Sequence, residues 1–118
     1  MPDRSPAFEY RRGELHCENV PLRLLAEEYG TPLYVYSATT IRDRYRTFDR
    51  AFQGTPHTIC YSVKANSNLT ILRLLAKMGA GFDIVSGGEL ERVRLANKRA
   101  LRKVVFSGVG KTAEELKL

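Results

Sequence analysis

Thr58-Ile59-Cys60-Tyr61-Ser62-Val63-Lys64-Ala65-Asn66-Ser67-Asn68 is the stretch on which the fold turns. Its first half, Thr58 to Val63, is β-rich and uncharged, as in a strand buried in a sheet. Lys64 ends that strand. Asn66-Ser67-Asn68 interrupts the pattern, and Ile71, Leu74, Leu75 and Met78 then recur at the spacing of one helical face. A strand, a short turn and a helix in that order make one βα unit.

The same alternation extends in both directions. Downstream, Gly79 and Gly81 close the helix, and Phe82 to Val85 reads as a second short buried strand. Ser86-Gly87-Gly88-Glu89 is a capping box, so a helix starts there with Leu90 and Val93 on its apolar side. Val104-Val105-Phe106 is the next strand, and Thr112-Ala113-Glu114-Glu115 is a second capping box. Upstream, Gly54-Thr55-Pro56 breaks a helix whose stripe is Ile41, Tyr45, Phe48 and Phe52 and whose N-cap is Ser37. Leu33 to Tyr36 reads as a strand. Before it, Gly30 and Pro32 stop a helix that Pro21 opens and that carries Leu22, Leu25, Ala26 and Tyr29 on one face. Residues 8–18 hold a short strand around Leu15, with Gly13 at a turn.

Nearly uncharged strands between amphipathic helices, expected to be buried on both faces, indicate an α/β protein with a parallel sheet. An open doubly wound sheet and a (β/α)8 barrel both satisfy that pattern. A complete barrel takes about 200 residues or more, so a barrel reading makes this chain an incomplete, amino-terminal part. The chain stops at Leu116-Lys117-Leu118, inside an expected helix, which agrees with that reading. Residues 1–36 form an amino-terminal strand/helix/strand segment, and residues 37–118 form the first βα units.

Bulk properties exclude several classes. Of 118 residues, 43% are apolar and 27% charged, an ordinary globular balance. No apolar run approaches the ~18 residues of a membrane span. Met1-Pro2-Asp3-Arg4-Ser5-Pro6 has no apolar core and is not a secretory signal. Cys17 and Cys60 are far apart and read as free thiols of a cytoplasmic protein. The net charge of +6 is concentrated between Glu91 and Lys103, where no aromatic residue interleaves. A solvated helix face followed by a basic loop accounts for it, and no nucleic-acid or membrane partner is expected.

Two residues carry candidate chemistry. Lys64 sits at the carboxyl end of a strand, where barrel active sites are built, and a partly desolvated amine there is a nucleophile toward an aldehyde. By position alone, a strand-end lysine reaching to water is the commoner arrangement. Asp83 is the only charge within Phe82-Asp83-Ile84-Val85. A buried carboxylate needs a partner, which could be Lys64, a ligand or local backbone. Glu89 is explained by its capping box, and Gly87 and Gly88 are either anion-binding or turn glycines. His16 and His57 lack partners at metal spacing, so no metal site is expected. Gly108-Val109-Gly110-Lys111-Thr112 matches the second half of a P-loop, but Val105 stands where the first glycine belongs.

Tyr61-Ser62-Val63-Lys64-Ala65-Asn66-Ser67-Asn68 resembles the cofactor-lysine motif of the alanine-racemase-like barrel decarboxylases. Gly81-Phe82-Asp83-Ile84-Val85-Ser86 with Gly88-Glu89-Leu90-Glu91-Arg92-Val93 looks like the second-strand block of the diaminopimelate decarboxylases among them. Val104-Val105-Phe106-Ser107-Gly108-Val109-Gly110-Lys111-Thr112 looks like their third-strand block, and Gly30-Thr31-Pro32-Leu33-Tyr34-Val35-Tyr36 fits their opening. The blocks occur in the right order across about residues 8 to 118. The resemblance implies a (β/α)8 barrel followed by a β-rich carboxyl-terminal domain, a homodimer and pyridoxal 5'-phosphate. It implies conversion of meso-2,6-diaminopimelate to L-lysine and carbon dioxide, with Lys64 as the Schiff-base lysine and Asp83 as the strand-two acid near the cofactor. Related enzymes act on arginine, ornithine or carboxynorspermidine. The family's phosphate site and carboxyl-terminal residues are not matched in this chain, which alone is expected to be inactive.

Overall fold

The computed structural model describes residues 6–108 and 112–117. The chain gathers into two compact units, Met1–Arg46 and Thr47–Leu118.

The first unit is built on a hairpin. Strands β1 (Phe8–Arg11) and β2 (Glu14–Cys17) pair antiparallel with Arg11 opposite Glu14. The loop between them is only Arg12-Gly13, with φ of 53° and 78°. Positive φ at both central residues matches the twist of a tight hairpin, and Gly13 supplies its share without Cβ strain. A two-residue strand, β3 (Val20–Pro21), pairs antiparallel on the other side of β2. The strand expected around Leu15 is therefore the middle of a three-stranded antiparallel sheet. Helix α1 (Leu22–Tyr29) follows Pro21 directly, and Gly30 ends it at φ 83° with its N–H donated to Ala26 O at 2.8 Å.

The strand expected over residues 33–36 does not form. The chain there is irregular, with Tyr34 86% and Tyr36 52% exposed. β-rich composition favours extended backbone, but a strand also needs a neighbour to complete its ladder, and this segment has none among the described residues. Helix α2 (Ala38–Ala51) starts on a small network: Ser37 Oγ accepts from the Thr40 N–H at 3.1 Å, and Glu18 Oε1 accepts from the Thr39 N–H and from Ser37 Oγ, each at 3.0 Å. These bonds, from Thr39 first and then Ser37, hold the Glu18 carboxyl below its ordinary range.

The second unit holds a parallel sheet in the order β4 (Cys60–Ser62), β5 (Gly81–Ile84), β6 (Val104–Phe106). Register places Ser62 beside Asp83 and Asp83 beside Val105; the next row is Tyr61, Phe82, Val104. Helix α3 (Leu69–Lys77) links β4 to β5, and α4 (Gly87–Ala96) with a 3-10 helix, Lys98–Lys103, links β5 to β6. Consecutive strands are neighbours throughout, an order shared by one half of a doubly wound sheet and by the start of a barrel.

The core explains why only one face is dry. Val63, Leu72, Phe82, Ile84 and Val93 are fully buried, joined by Ile71 and Leu75. Strand alternation puts Phe82 and Ile84 on one face and Asp83 on the other. On Asp83's face, Ser62 and Asp83 are half-buried and Val105 is 50% exposed. The expected burial on both faces is thus corrected to burial on one. Right-handed crossovers between strands in consecutive order send the helices to a single side, and α3 and α4 do pack together.

Two further elements differ from expectation. The ladder of β4 stops at Ser62, and Val63–Ala65 forms one 3-10 turn, so Lys64 is a turn residue rather than the last strand residue. The basic segment after α4 is not a loop. Asn97 Oδ1 accepts from the Arg99 N–H at 3.0 Å, Ala100 is buried, and Lys103 Nζ donates to Gly79 O at 3.2 Å. A single buried alanine and a capping side chain suffice to order it.

Candidate active site

Lys64 occupies the junction between sheet and helix. Val63, fully buried, anchors the 3-10 turn from below, and Lys64 beside it is exposed. The loop that follows has its polar groups assigned. Tyr61 Oη donates to Asn66 O at 2.9 Å, and Arg92 Nε, from α4, donates to Ser67 O at 2.8 Å. Asn66 Oδ1 accepts from the Asn68 N–H at 3.0 Å, and Asn68 Oδ1 caps α3 through the Thr70 N–H at 2.9 Å. Lys64 opens on a cleft of about 630 Å³, whose walls include Ser67, Ser86, Glu89 and Arg92. Among the described residues its ammonium has neither an ion pair nor a hydrogen bond. An amine on an open cleft, with no carboxylate holding it, is available to condense with an aldehyde.

Asp83 does not pair with Lys64. Its Oδ1 instead accepts from Ser107 Oγ, just beyond the end of β6. Ser107 is held in place by its own N–H, which donates to Ile84 O at 2.9 Å. The turn at Val63–Ala65 takes Lys64 out of the strand alternation that would have set it beside Asp83 on one face. The acid and its serine remain on the open face of the sheet, at the carboxyl ends of β5 and β6. Ser107 was not singled out from sequence. Its signal is its place two residues after Val105, on the same face as Asp83.

Glu89 is structural, as its motif suggests. Ser86 Oγ accepts from the Glu89 N–H at 3.1 Å. The Glu89 carboxylate reaches back to the Val85 N–H at 3.0 Å, one residue before the cap. Gly87 and Gly88 form the first turn of α4. His16 Nδ1 contacts Glu14 O at 2.9 Å, and His57 lies between Thr55 O at 2.7 Å and Asp49 Oδ1 at 2.6 Å. Among the described residues no cluster of His, Cys, Asp or Glu could hold a metal. No helix there is long and apolar enough to cross a membrane. Of the P-loop-like segment, Val109, Gly110 and Lys111 lie outside the described residues. The second capping box precedes a short helix, α5 (Ala113–Leu116), and the Glu115 side chain is likewise outside.

The family described as pyridoxal-dependent decarboxylase, pyridoxal binding domain, matches residues 38–118. A diaminopimelate decarboxylase of Pseudomonas fluorescens is 60% identical over 111 residues, which are 94% of this chain and 26% of the relative. The crystal structure of a protein from Aquifex aeolicus superposes with a TM-score of 0.84 at 48% identity, over 95% of this chain and 27% of that one. The crystal structure of the diaminopimelate decarboxylase of M. jannaschii in complex with L-lysine gives a TM-score of 0.81 at 41% identity, over 92% of this chain and 26% of that one. The chain thus spans about a quarter of the length of these relatives. Its fold is the α/β amino-terminal part of a barrel enzyme, as expected. The expected pyridoxal cofactor is borne out by the family. The residues present suit such a group: a primary amine with no competing carboxylate faces a cleft in the size range of small-molecule sites.

Proposed function

The chain belongs to the pyridoxal-dependent decarboxylases, through their pyridoxal-binding domain, and on that premise we propose that it is part of an enzyme that decarboxylates meso-2,6-diaminopimelate to L-lysine. Lys64 is the residue that anchors the cofactor, and the observation that carries this is its position. It follows the first strand of the parallel sheet, on an open cleft, with an uncommitted amine among the described residues. Relatives named diaminopimelate decarboxylases, at 46% to 60% identity, favour that substrate over arginine, ornithine or carboxynorspermidine.

Lys64 Nζ would hold the cofactor by its aldehyde, as the only lysine amine among the described residues that lines the cleft. When bound, pyridoxal phosphate supplies an electron sink for the charge left as carbon dioxide departs. Lys64 Nζ, at the edge of the open cleft, would also be placed to hold or return a proton. The Asp83 carboxylate, with the Ser107 hydroxyl donating to it, is a fixed negative group on the open face of the sheet; it does not line the Lys64 cleft, and its role as the acid near the cofactor rests on the resemblance of its strand block. Residues 1–36 lead into the barrel, and residues 37–118 are its first βα units. A homodimer in the cytoplasm belongs to the same reading.

The test is chemical. Incubation with pyridoxal phosphate followed by borohydride reduction should leave a pyridoxyl group on the peptide containing Lys64, and none in Lys64→Ala. A label confined to another lysine overturns the anchor. Carbon dioxide released from ornithine or arginine but not from diaminopimelate overturns the substrate.

A further inference from the structure

We propose that Arg92 and Tyr61 act together as positioning residues that clamp the loop directly after the Lys64 turn, and so set where its amine points. The proposal rests on Lys64 being the cofactor lysine, as argued above. Residues 66–68 belong to no regular element, since the 3-10 turn ends at Ala65 and α3 begins at Leu69. Such a segment is free to drift unless its carbonyls are held from outside. Here two successive carbonyls are held, by side chains from different elements. Asn66 O accepts from Tyr61 Oη at 2.9 Å, and Ser67 O accepts from Arg92 Nε at 2.8 Å.

The two donors are themselves fixed to the core. The Tyr61 ring meets Phe82 edge-on at 6.4 Å between centroids, and Phe82 is fully buried in the central strand. Arg92 precedes Val93, also fully buried, in the middle of α4. The bond from Arg92 spans 25 positions in sequence and ties the first βα unit to the second. Both Arg92 and Lys64 line the same cleft, so the guanidinium secures the loop at the rim where the amine works. The neighbouring cations differ in this respect: Arg94 is engaged with Glu91 on its own helix, and Lys103 reaches Gly79 O.

Two measurements on the intact protein decide the matter. The first is amide exchange at Asn68, whose N–H bonds within the loop. Arg92→Ala should speed it about three- to tenfold, while Phe82 and Ile84 in the central strand keep their protection, and Arg92→Lys should restore part of the effect. Tyr61→Phe keeps the ring contact with Phe82, removes only the hydroxyl and should act in the same direction. The second is the rate at which borohydride fixes pyridoxal phosphate to Lys64, which should fall about three- to tenfold in Arg92→Ala with the melting temperature unchanged. Unaltered exchange at Asn68 in both variants overturns the clamp, whatever Lys64 binds. Faster exchange with an unaltered labelling rate confirms a tether but overturns its positioning role. If the parent protein takes no label at Lys64 at all, the cofactor assignment fails, and the exchange result still decides whether the loop is clamped.

Discussion

Gly81→Ala should be among the most damaging single-methyl additions in this chain, for a reason visible in the packing. A Cβ built at Gly81 would lie 2.7 Å from Lys103 O, 2.9 Å from Cys60 Sγ and 3.1 Å from Lys103 Cβ. Ordinary contacts begin near 3.4 Å, so several tenths of an ångström must be found. The cysteine sulfur can rotate away, but the carbonyl is backbone, at the point where the 3-10 helix enters β6, and it cannot move without shifting the ladder. Overpacking of this kind costs about 1–3 kcal/mol. With a urea slope of about 1–3 kcal/mol per molar, the unfolding midpoint should fall by roughly 1 M with little change in slope. Gly79→Ala is the control. Nothing lies within 4 Å of its Cβ, but its φ is 93°, so backbone strain alone applies, about 1 kcal/mol. Cys60→Ala should recover only the sulfur's share of the Gly81→Ala loss. Urea titrations followed by far-ultraviolet circular dichroism would read all three. A Gly81→Ala midpoint no lower than that of Gly79→Ala, or complete recovery in the Cys60→Ala background, refutes the backbone clash.

Ser86→Ala removes the acceptor for the Glu89 N–H and should cost about 1 kcal/mol, seen as a lower melting temperature and faster exchange at Glu89; Ser86→Gly should cost only a few tenths. His57 has an acceptor at each ring nitrogen, so only the doubly protonated ring donates to both, and the Thr55 carbonyl, followed by Asp49, raises its pKa. Because the folded value is the higher one, this contribution is complete below the ordinary value of about 6.5 and is lost as pH rises through the raised value. The urea midpoint should therefore decline over that window in the parent protein and lose this component in His57→Gln; identical pH profiles for the two would contradict the assignment.

Local signals make the second unit legible in the sequence. Ser86 with Glu89 marked the start of α4, the stripe Ile71, Leu75 marked α3, and Val104 to Phe106 marked β6, because caps and periodicity act over a few residues. The errors fall where the outcome depends on a partner far along the chain. Leu33 to Tyr36 has strand composition but no ladder partner among the described residues. Phe8–Arg11 and Val20–Pro21 have weak patterns of their own and are strands only because β2 lies between them. The site followed the same division. Lys64 was apparent from its position and its motif, whereas Arg92 and Ser107 matter through bonds spanning about two dozen residues, which spacing does not encode.

The register of the parallel sheet separates two kinds of change. Ser62, Asp83 and Val105 form one row on the open face, and Tyr61, Phe82 and Val104 form the next row on the packed face. A substitution in the first row alters polarity without removing atoms from the core, while one at Phe82 in the second disturbs packing without reaching the open face. Chemical novelty and structural robustness are therefore written on alternate letters of the same strands. A lineage can revise the open-face row while the packed row goes on specifying the fold.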